Sequence, residues 1–241
     1  MIPKVIHYCW FGGKPLPDSA EKCISSWKKY CPDYEIKRWD ESNFDINCCD
    51  YVREAYQARK WAFVSDYARF KILFEKGGVY FDTDVEVIKP IDDIVRSGPF
   101  MGYERYYRVA PGLGIGAEPG MTIIKELLDG YQNKHFLKTG DYFDYPTVVE
   151  YTSEVFFRNG LKRTSGIQEV AGIKVYPQDY FCPFDGRLQT YDPTENTVSI
   201  HRFDSSWRNK SYSIVKYGKR IMGKELTKKI CDLIDKKHSS I

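Results

Sequence analysis

The order of the first predicted elements constrains the fold most, because a strand, a helix and a second strand follow one another. Residues 4–11 are rich in β-branched and aromatic side chains and end at two glycines, which is typical of a strand running into a loop. Asp18 and Glu21 have capping-box spacing and predict a helix that Pro32 closes. Residues 34–39 are the next predicted strand. This order favours a parallel α/β sheet whose loops at the carboxyl ends of the strands hold the ligand.

The following segment predicts two helices and then a short buried strand. Residues 51–59 and 62–76 have helical patterns, and Gly77 ends the second helix in a left-handed conformation. Residues 79–81 then form a strand that delivers Asp82 to its own end. Later elements are less regular; we predict strands near residues 100–104 and 173–176, and helices near 122–131 and 147–157. One main domain over residues 1–209 is the economical interpretation.

Composition limits the function classes. The net charge of +3 is too small to indicate a nucleic-acid partner. Seven cysteines, without a CxxC pair, indicate reduced, mostly structural thiols and no zinc site. The aromatic share of 16% suits contacts with sugars or nucleobases, although such side chains also fill cores.

The two ends of the chain bear on localisation. The apolar run at the N-terminus is too short for a secretory signal, and no stretch reaches roughly 20 consecutive apolar residues, so we expect a cytoplasmic protein. Residues 210–241 predict a basic amphipathic helical appendage. This helix either docks on the domain with a solvated basic face or also contacts the anionic inner face of the cell membrane, which would bring the site to a lipid-linked acceptor.

The strongest candidate for chemistry is the triplet Asp82-Thr83-Asp84, which places two carboxylates at the end of an apolar strand. Mg²⁺ and Mn²⁺ prefer oxygen ligands and commonly bridge a diphosphate to a protein. Such an ion would also neutralise the charge that develops on a leaving diphosphate. A DxD triplet alone is weak evidence, and its position after Gly-Gly-Val-Tyr-Phe strengthens it.

Asp66 and Arg69 lie three residues apart within a predicted helix, and hence on one face. One interpretation is a surface ion pair, which contributes little to stability. The other is a ligand site, with Arg69 on a phosphate or sugar hydroxyl and Asp66 accepting from sugar or ribose hydroxyls. The aromatic and aliphatic neighbours of this helix favour the second interpretation.

Three further features are ambiguous from chemistry alone. His201 follows a β-like run, and a lone histidine is more often structural than a ligand. Trp207 alone is more typical of a core. The glycines between Ala110 and Gly120 do not form a phosphate-binding fingerprint; they either let a backbone approach a sugar closely or form turns.

Five stretches together resemble a known family. In order, they are IPKVIHYCWFGG, AFVSDYARFKILFEKGGVYFDTDV, APGLGIGAEPG, KVYPQDYFCP and SIHRFDSSW, which span about residues 2–207. They are similar to DXD-containing glycosyltransferases of family 32 type, which include capsular polysaccharide synthesis sugar transferases and fungal mannosyltransferases, and are distantly similar to clostridial glucosylating toxins. The resemblance implies a GT-A fold with a Rossmann-like mixed sheet flanked by helices, and retention of anomeric configuration.

The resemblance also implies a metal and catalytic set. Asp82 and Asp84 match the carboxylates that hold the metal and the ribose and sugar of the donor, and His201 falls where relatives place a third metal ligand. Arg69 completes the catalytic set with Asp82 and Asp84. The implied cofactor is Mn²⁺ or Mg²⁺.

Donor binding is implied for a second group of residues. Asp66, with Arg69, matches the donor-sugar and phosphate contacts. Ser205 and Trp207 match groups that hold the diphosphate, and the loop around Trp10, with Tyr8 just before it, corresponds to the part that packs on the nucleotide.

The function implied by the resemblance is transfer of a hexose from a nucleotide diphosphate sugar, with UDP-galactose first among UDP-hexoses, to a polysaccharide or lipid-linked oligosaccharide. The departing phosphate oxygen would serve as the base. Ala110 and Pro111 stand where relatives often carry Asn, so no catalytic role is assigned there. Two alternatives are a haloacid-dehalogenase-like phosphatase, in which Asp82 would be a nucleophile, and a non-catalytic carbohydrate-binding module.

Overall fold

The computed structural model describes residues 1–136, 146–185 and 190–203. The strands in this part of the chain are β1 (Val5–Cys9), β2 (Glu35–Trp39), β3 (Gly78–Tyr80), β4 (Val85–Val87), β5 (Phe100–Glu104), β6 (Arg108–Val109), β7 (Ile115–Ala117), β8 (Gln168–Val170), β9 (Ile173–Tyr176), β10 (Phe184–Asp185), β11 (Thr190–Tyr191) and β12 (Ser199–His201). The helices are α1 (Asp18–Tyr30), α2 (Asp50–Gln57), α3 (Trp61–Lys76), α4 (Asp92–Arg96), α5 (Thr122–Asp129), α6 (Val148–Arg158) and α7 (Gln178–Phe181).

The main sheet has the strand order β2-β1-β3-β7-β5-β9-β8, with β6 paired to β5. β1 pairs in parallel with both β2 and β3, and β5 pairs in parallel with β9. β7 runs antiparallel between β3 and β5, and β8 is antiparallel to β9. This confirms the predicted mixed α/β architecture, with helices around a Rossmann-like sheet, that is expected of a GT-A fold.

Five parallel strands end at one edge of this sheet. Because β1, β2, β3, β5 and β9 share a direction, the residues at their carboxyl ends lie along the same edge. Trp10 follows β1, Asp82 follows β3, Glu104 ends β5 and Gln178 follows β9. In open α/β sheets this edge is where ligands bind.

Two apolar clusters, containing side chains from opposite faces of the sheet, form the core. Helix α3 belongs to the first cluster and is buried around most of its circumference, which is the pattern of an interior helix rather than a surface one. It packs against β1, β3, α2 and α5. Its C-terminus is capped by Gly77 with a φ of 64° and a ψ of −161°, so the predicted glycine cap with positive φ is present, but its ψ differs from that of the expected left-handed helical cap.

One predicted helix signal is wrong in detail. Helix α1 begins at Asp18 itself, with Pro17 at the N-cap and no side-chain cap, so Asp18 and Glu21 do not form a capping box. The amide of Glu21 donates to the carbonyl of Pro17 instead. The complete capping box lies at α6, between Thr147 and Glu150.

The predicted appendage at residues 210–241 and the end of the predicted domain at residue 209 lie outside the described residues. No helix in the described part of the chain is long and apolar enough to cross a membrane.

Candidate active site

The Asp82-Thr83-Asp84 triplet follows β3 in a loop that backbone hydrogen bonds hold at three points. The amide of Asp82 donates to the carbonyl of Gly112, and the amide of Val85 donates to the carbonyl of Asp82. The carbonyl of Asp84 accepts from the amide of Arg202 at 2.9 Å. The loop is thereby tied both to the glycine segment and to the end of β12.

Asp82, Asp84 and His201 form one cluster. One potential ligand atom from each of the three side chains lies within 4.8 Å of the others. The antiparallel pairing of β12 with β4, in which His201 faces Val85, brings the histidine to the triplet. Nε2 of His201 lies 3.1 Å from Oδ1 of Asp84. Two carboxylates and an imidazole therefore converge at the edge of the sheet.

The electrostatics of this cluster follow from burial and from its own charges. Burial lowers the pKa of His201, whereas the negative charges of Asp84, Asp82 and Glu104 raise it. The effect of the carboxylates is larger, so the pKa of His201 lies above its usual value. Burial raises the pKa of Asp82, and Arg69 opposes this effect. Among the described residues, the site therefore concentrates negative charge that Arg69 and a protonated His201 offset, which is an environment suited to a cation.

Arg69 is a buried bridge between two carboxylates. Its side chain is 4% exposed, and its Nη2 lies 2.8 Å from Oδ1 of Asp66 and 3.2 Å from Oδ1 of Asp82. Its Nε donates to the carbonyl of Ser65, and its guanidinium lies over the ring of Tyr80 at 5.0 Å. The interpretation of Asp66 and Arg69 as a surface ion pair is therefore wrong.

The Asp66 carboxyl is also removed from water. Its side chain is 14% exposed, and burial raises its pKa to about 7 against the opposing effect of Arg69. Asp66 lines a small cavity together with Tyr131 and Lys134. Arg69 thus connects this cavity to the Asp82 cluster.

There is no space for a side chain at Gly112, which lies beside the Asp82 carboxylate. A Cβ at this position would lie 2.1 Å from Oδ2 of Asp82 and 3.6 Å from Nη1 of Arg69. Gly112 therefore fits the interpretation in which a glycine allows close approach of the backbone. The group that approaches it in the structure is the Asp82 carboxylate, whereas the sequence suggested a sugar.

Tyr80 is a site residue that sequence reasoning assigned only to the strand. Its hydroxyl donates to Oδ1 of Asp82 at 3.0 Å, although the residue is only 1% exposed. Alternation along an extended chain, which places residues two apart on one face, is the signal that could have related Tyr80 to Asp82.

The other predicted donor-binding residues have different environments. Trp10 is partly exposed, and its indole Nε1 donates to the carbonyl of Lys14 at 2.7 Å, which orients the ring in the loop after β1. Tyr8 is 7% exposed and packs edge-on against Trp27, so most of its ring belongs to the core. Ser205 and Trp207 lie outside the described residues.

The cysteines agree with the expectation of reduced thiols. The six cysteines that the structure describes form no disulfide, and four of them are buried: Cys9, Cys23, Cys31 and Cys182. Neither Asp82 nor Asp84 shares its cluster with a thiol.

Comparison with known proteins relates this geometry to one family. Residues 17–101 match the family described as glycosyltransferase sugar-binding region containing DXD motif. The initiation-specific alpha-1,6-mannosyltransferase of Candida albicans is 31% identical over 128 residues, which cover 49% of this chain and 33% of that protein. Inositol phosphoceramide mannosyltransferase 3 of Schizosaccharomyces pombe is 27% identical over 164 residues, which cover 64% of this chain and 43% of that protein.

The matched segments thus span less than half the length of these two relatives. A solved glycosyltransferase involved in the glycosylation of the major capsid of PBCV-1 is similar over 85% of this chain and 95% of its own, with a TM-score of 0.48 and 14% identity. The family match contains Asp66, Arg69, Asp82 and Asp84. The resemblance inferred from the sequence is therefore confirmed over residues 17–101, which match the DXD-containing glycosyltransferase family.

Proposed function

We propose that this protein is a metal-dependent glycosyltransferase that moves a hexose from a nucleotide diphosphate sugar to a glycan or lipid-linked acceptor. The observation that carries the proposal is the convergence of Asp82, Asp84 and His201 within 4.8 Å at the ligand-binding edge of the sheet. The match of residues 17–101 to the DXD-containing family supports it independently.

The residues present fit a divalent cation. Two carboxylate oxygens and an imidazole nitrogen are a ligand set that Mn²⁺ or Mg²⁺ accepts, with Mn²⁺ favoured by the nitrogen. Nδ1 of His201 is buried and has no hydrogen-bond partner among the described residues, so the ring retains an unused nitrogen. A bound ion would supply Lewis-acid stabilisation of the leaving diphosphate.

The chain's own side chains supply the remaining functions. Arg69 holds the Asp82 carboxylate in place and adds a buried positive charge beside the phosphates. Asp66 can accept from hydroxyls of the donor sugar, and Trp10 offers an aromatic face to the nucleotide. We propose retention of configuration, with the departing phosphate oxygen as base, on the family resemblance.

The donor sugar is the least constrained part of the proposal. The resemblance to capsular polysaccharide synthesis sugar transferases favours UDP-galactose. The two relatives described above are instead named as mannosyltransferases. We therefore propose a hexose and test UDP-galactose, UDP-glucose and GDP-mannose in parallel.

The decisive experiment measures release of UDP or GDP from these three donors, with and without Mn²⁺. We expect metal-dependent release with one donor, and its loss in Asp84→Asn. Asp93→Asn is the matched control, since Asp93 is 91% exposed and its carboxylate forms an ion pair with the surface residue Arg96.

The alternatives give different results in the same experiment. Phosphate release from p-nitrophenyl phosphate, without donor hydrolysis, would favour the phosphatase. Sugar binding without any turnover would favour the carbohydrate-binding module. Normal donor turnover by Asp84→Asn would refute the ligand assignment.

A further inference from the structure

A second cavity lies along the sheet edge on the side away from Trp10. It has a volume of about 360 Å³, and its lining includes Tyr103, Glu104, Tyr106, Tyr107 and Gln178. This volume is within the range of small-molecule sites. Glu104 ends β5 and Gln178 follows β9, so the cavity opens at the same edge as the Asp82 cluster.

Its distance from the proposed metal site follows from strand order. β5 lies two strands from β3 in the sheet, with β7 between them, which places the two strands about 10 Å apart. Glu104 is also near enough to His201 for its charge to act on the imidazole. A ligand in this cavity would therefore lie beside the Asp82 cluster, opposite the loop of Trp10.

The rim of the cavity presents aromatic rings to solvent. Tyr106 is 66% exposed and Tyr107 is 38% exposed. Both have a left-handed backbone, with φ values of 60° and 57°, which costs free energy for residues other than glycine, asparagine or aspartate. Because most of the Tyr106 ring lies outside the core, a binding role explains the strain of this turn better than packing does.

Specific contacts hold these rings in place. Nη2 of Arg105 donates to the hydroxyl of Tyr106 at 2.8 Å, and the guanidinium lies over its ring. Tyr107 packs edge-on against Tyr103, with centroids 5.7 Å apart. Nε2 of Gln168 donates both to the hydroxyl of Tyr103 and to the carbonyl of Lys162, which fastens the opposite wall. The cavity is therefore organised before a ligand arrives.

We propose that this cavity is the acceptor subsite, in which Tyr106 stacks on a hexose ring of a glycan and Glu104 accepts a hydrogen bond from one of its hydroxyls. Flat aromatic faces beside a polar group suit the apolar face and hydroxyl edge of a sugar. The inference rests on the proposed glycosyltransferase function, because it assigns the second substrate of that reaction. It places donor and acceptor on opposite sides of Asp82.

Saturation-transfer NMR on the full chain tests this assignment directly, with α-1,6-mannobiose, lactose, maltose and cellobiose as probes. We expect at least one disaccharide to bind, and Tyr106→Asn to weaken its binding by about tenfold, which corresponds to about 1.4 kcal/mol. Asparagine tolerates the left-handed backbone, so this variant removes the ring without adding strain.

Two controls and one independent measurement accompany this test. Tyr106→Phe keeps the ring and should bind within about threefold of the parent, which is about 0.7 kcal/mol. Ile167→Asn changes an exposed apolar side chain that does not line the cavity and should have no effect. Binding of UDP or GDP with Mn²⁺, measured by calorimetry, should be unchanged in all variants.

The outcomes separate the subsite from the proposed function. Absence of disaccharide binding, or equal binding by Tyr106→Asn, would overturn the acceptor subsite even if nucleotide binding is normal. Disaccharide binding that depends on Tyr106, without nucleotide binding, would support the sugar subsite and count against the transferase. If the full chain binds neither a disaccharide nor a nucleotide, both the acceptor subsite and the proposed transferase function are refuted.

Discussion

Replacement of Gly112 by alanine tests the geometry of the DXD site with one methyl group. The new Cβ would lie 2.1 Å from Oδ2 of Asp82 and 3.1 Å from its Cγ. The Gly112 carbonyl also accepts from the Asp82 amide, so the backbone cannot retreat without losing that bond. The carboxylate must therefore move.

The magnitude follows from the overlap. Contacts shorter than 3.0 Å are essentially absent for real Cβ atoms, so the Asp82 oxygen must shift by roughly 1 Å. A misplacement of about 1 Å at a catalytic group can cost about 100-fold in rate, or about 2.7 kcal/mol of transition-state stabilisation. The same movement would weaken the hydrogen bonds that Asp82 accepts from Arg69 and Tyr80.

The assay compares kcat/KM for Mn²⁺-dependent donor hydrolysis with Tm. Gly116→Ala is the matched control, because its Cβ would lie 2.2 Å from the ring of Phe100, which is fully buried in the core. We expect Gly112→Ala to lose about 100-fold in kcat/KM with a small change in Tm. Gly116→Ala should instead lose about 1–3 kcal/mol of stability through overpacking.

A double-mutant cycle sharpens the test. In an Asp82→Ala background the steric conflict is gone, so adding Gly112→Ala should have little further effect on residual activity. Turnover by Gly112→Ala within about threefold of the parent enzyme, or about 0.7 kcal/mol, would refute the argument that this glycine positions the Asp82 carboxylate.

Arg69→Lys should lower kcat/KM by more than about tenfold and Tm by about 3–6 °C, because lysine loses the Nε hydrogen bond to the Ser65 carbonyl and the planar guanidinium over Tyr80, which together hold Nη2 between two carboxylates; an unchanged Tm in thermal unfolding would contradict this. Burial lowers the pKa of His7 below 6.5, and its Nδ1 accepts from Nε1 of Trp39. As the pH falls, the unfolded chain therefore binds a proton at this histidine before the folded chain does. The stability contributed by the neutral, buried His7 is present above about pH 6.5. Below that pH it is lost at up to about 1.4 kcal/mol per pH unit until the folded pKa is reached. Denaturant titrations across this range should show a shallower dependence in His7→Gln, and equal slopes would disprove the assignment. Cys49 should react first among the described cysteines with iodoacetamide near neutral pH, as read by mass spectrometry, because a hydrogen bond from Cys48 and backbone amides of α2 lower its pKa; faster labelling of Cys48 would reverse this assignment.

The sequence alone determined the elements whose signals are local. β-Branched and aromatic residues that end at two glycines predicted β1, an extended segment after the helix predicted β2, and a short apolar run predicted β3. The apolar positions of α3 predicted a buried helix that carries Asp66 and Arg69 on one face. The DXD triplet at the end of a strand could be read in the same way, because its chemistry lies within a few residues.

Only the tertiary structure decided what meets that triplet. His201 lies 117 positions from Asp84 and reaches it through the pairing of β12 with β4. Gly112 contacts Asp82 across two different loops, and Arg69 bridges two carboxylates instead of lying on the surface. The capping box expected at Asp18 also failed, since the preceding Pro17 occupies the N-cap.

The physical reason is the difference between local and long-range interactions. Helix and strand periodicity follow from backbone geometry within a few residues, so a single segment reveals them. Strand partners are joined by backbone hydrogen bonds that are the same for every sequence, and packing of side chains from distant segments selects among them. The cation site depends on one such pairing: spacing alone identified Asp82 and Asp84, the family resemblance implied His201, and only the folded chain brings His201 to Asp84.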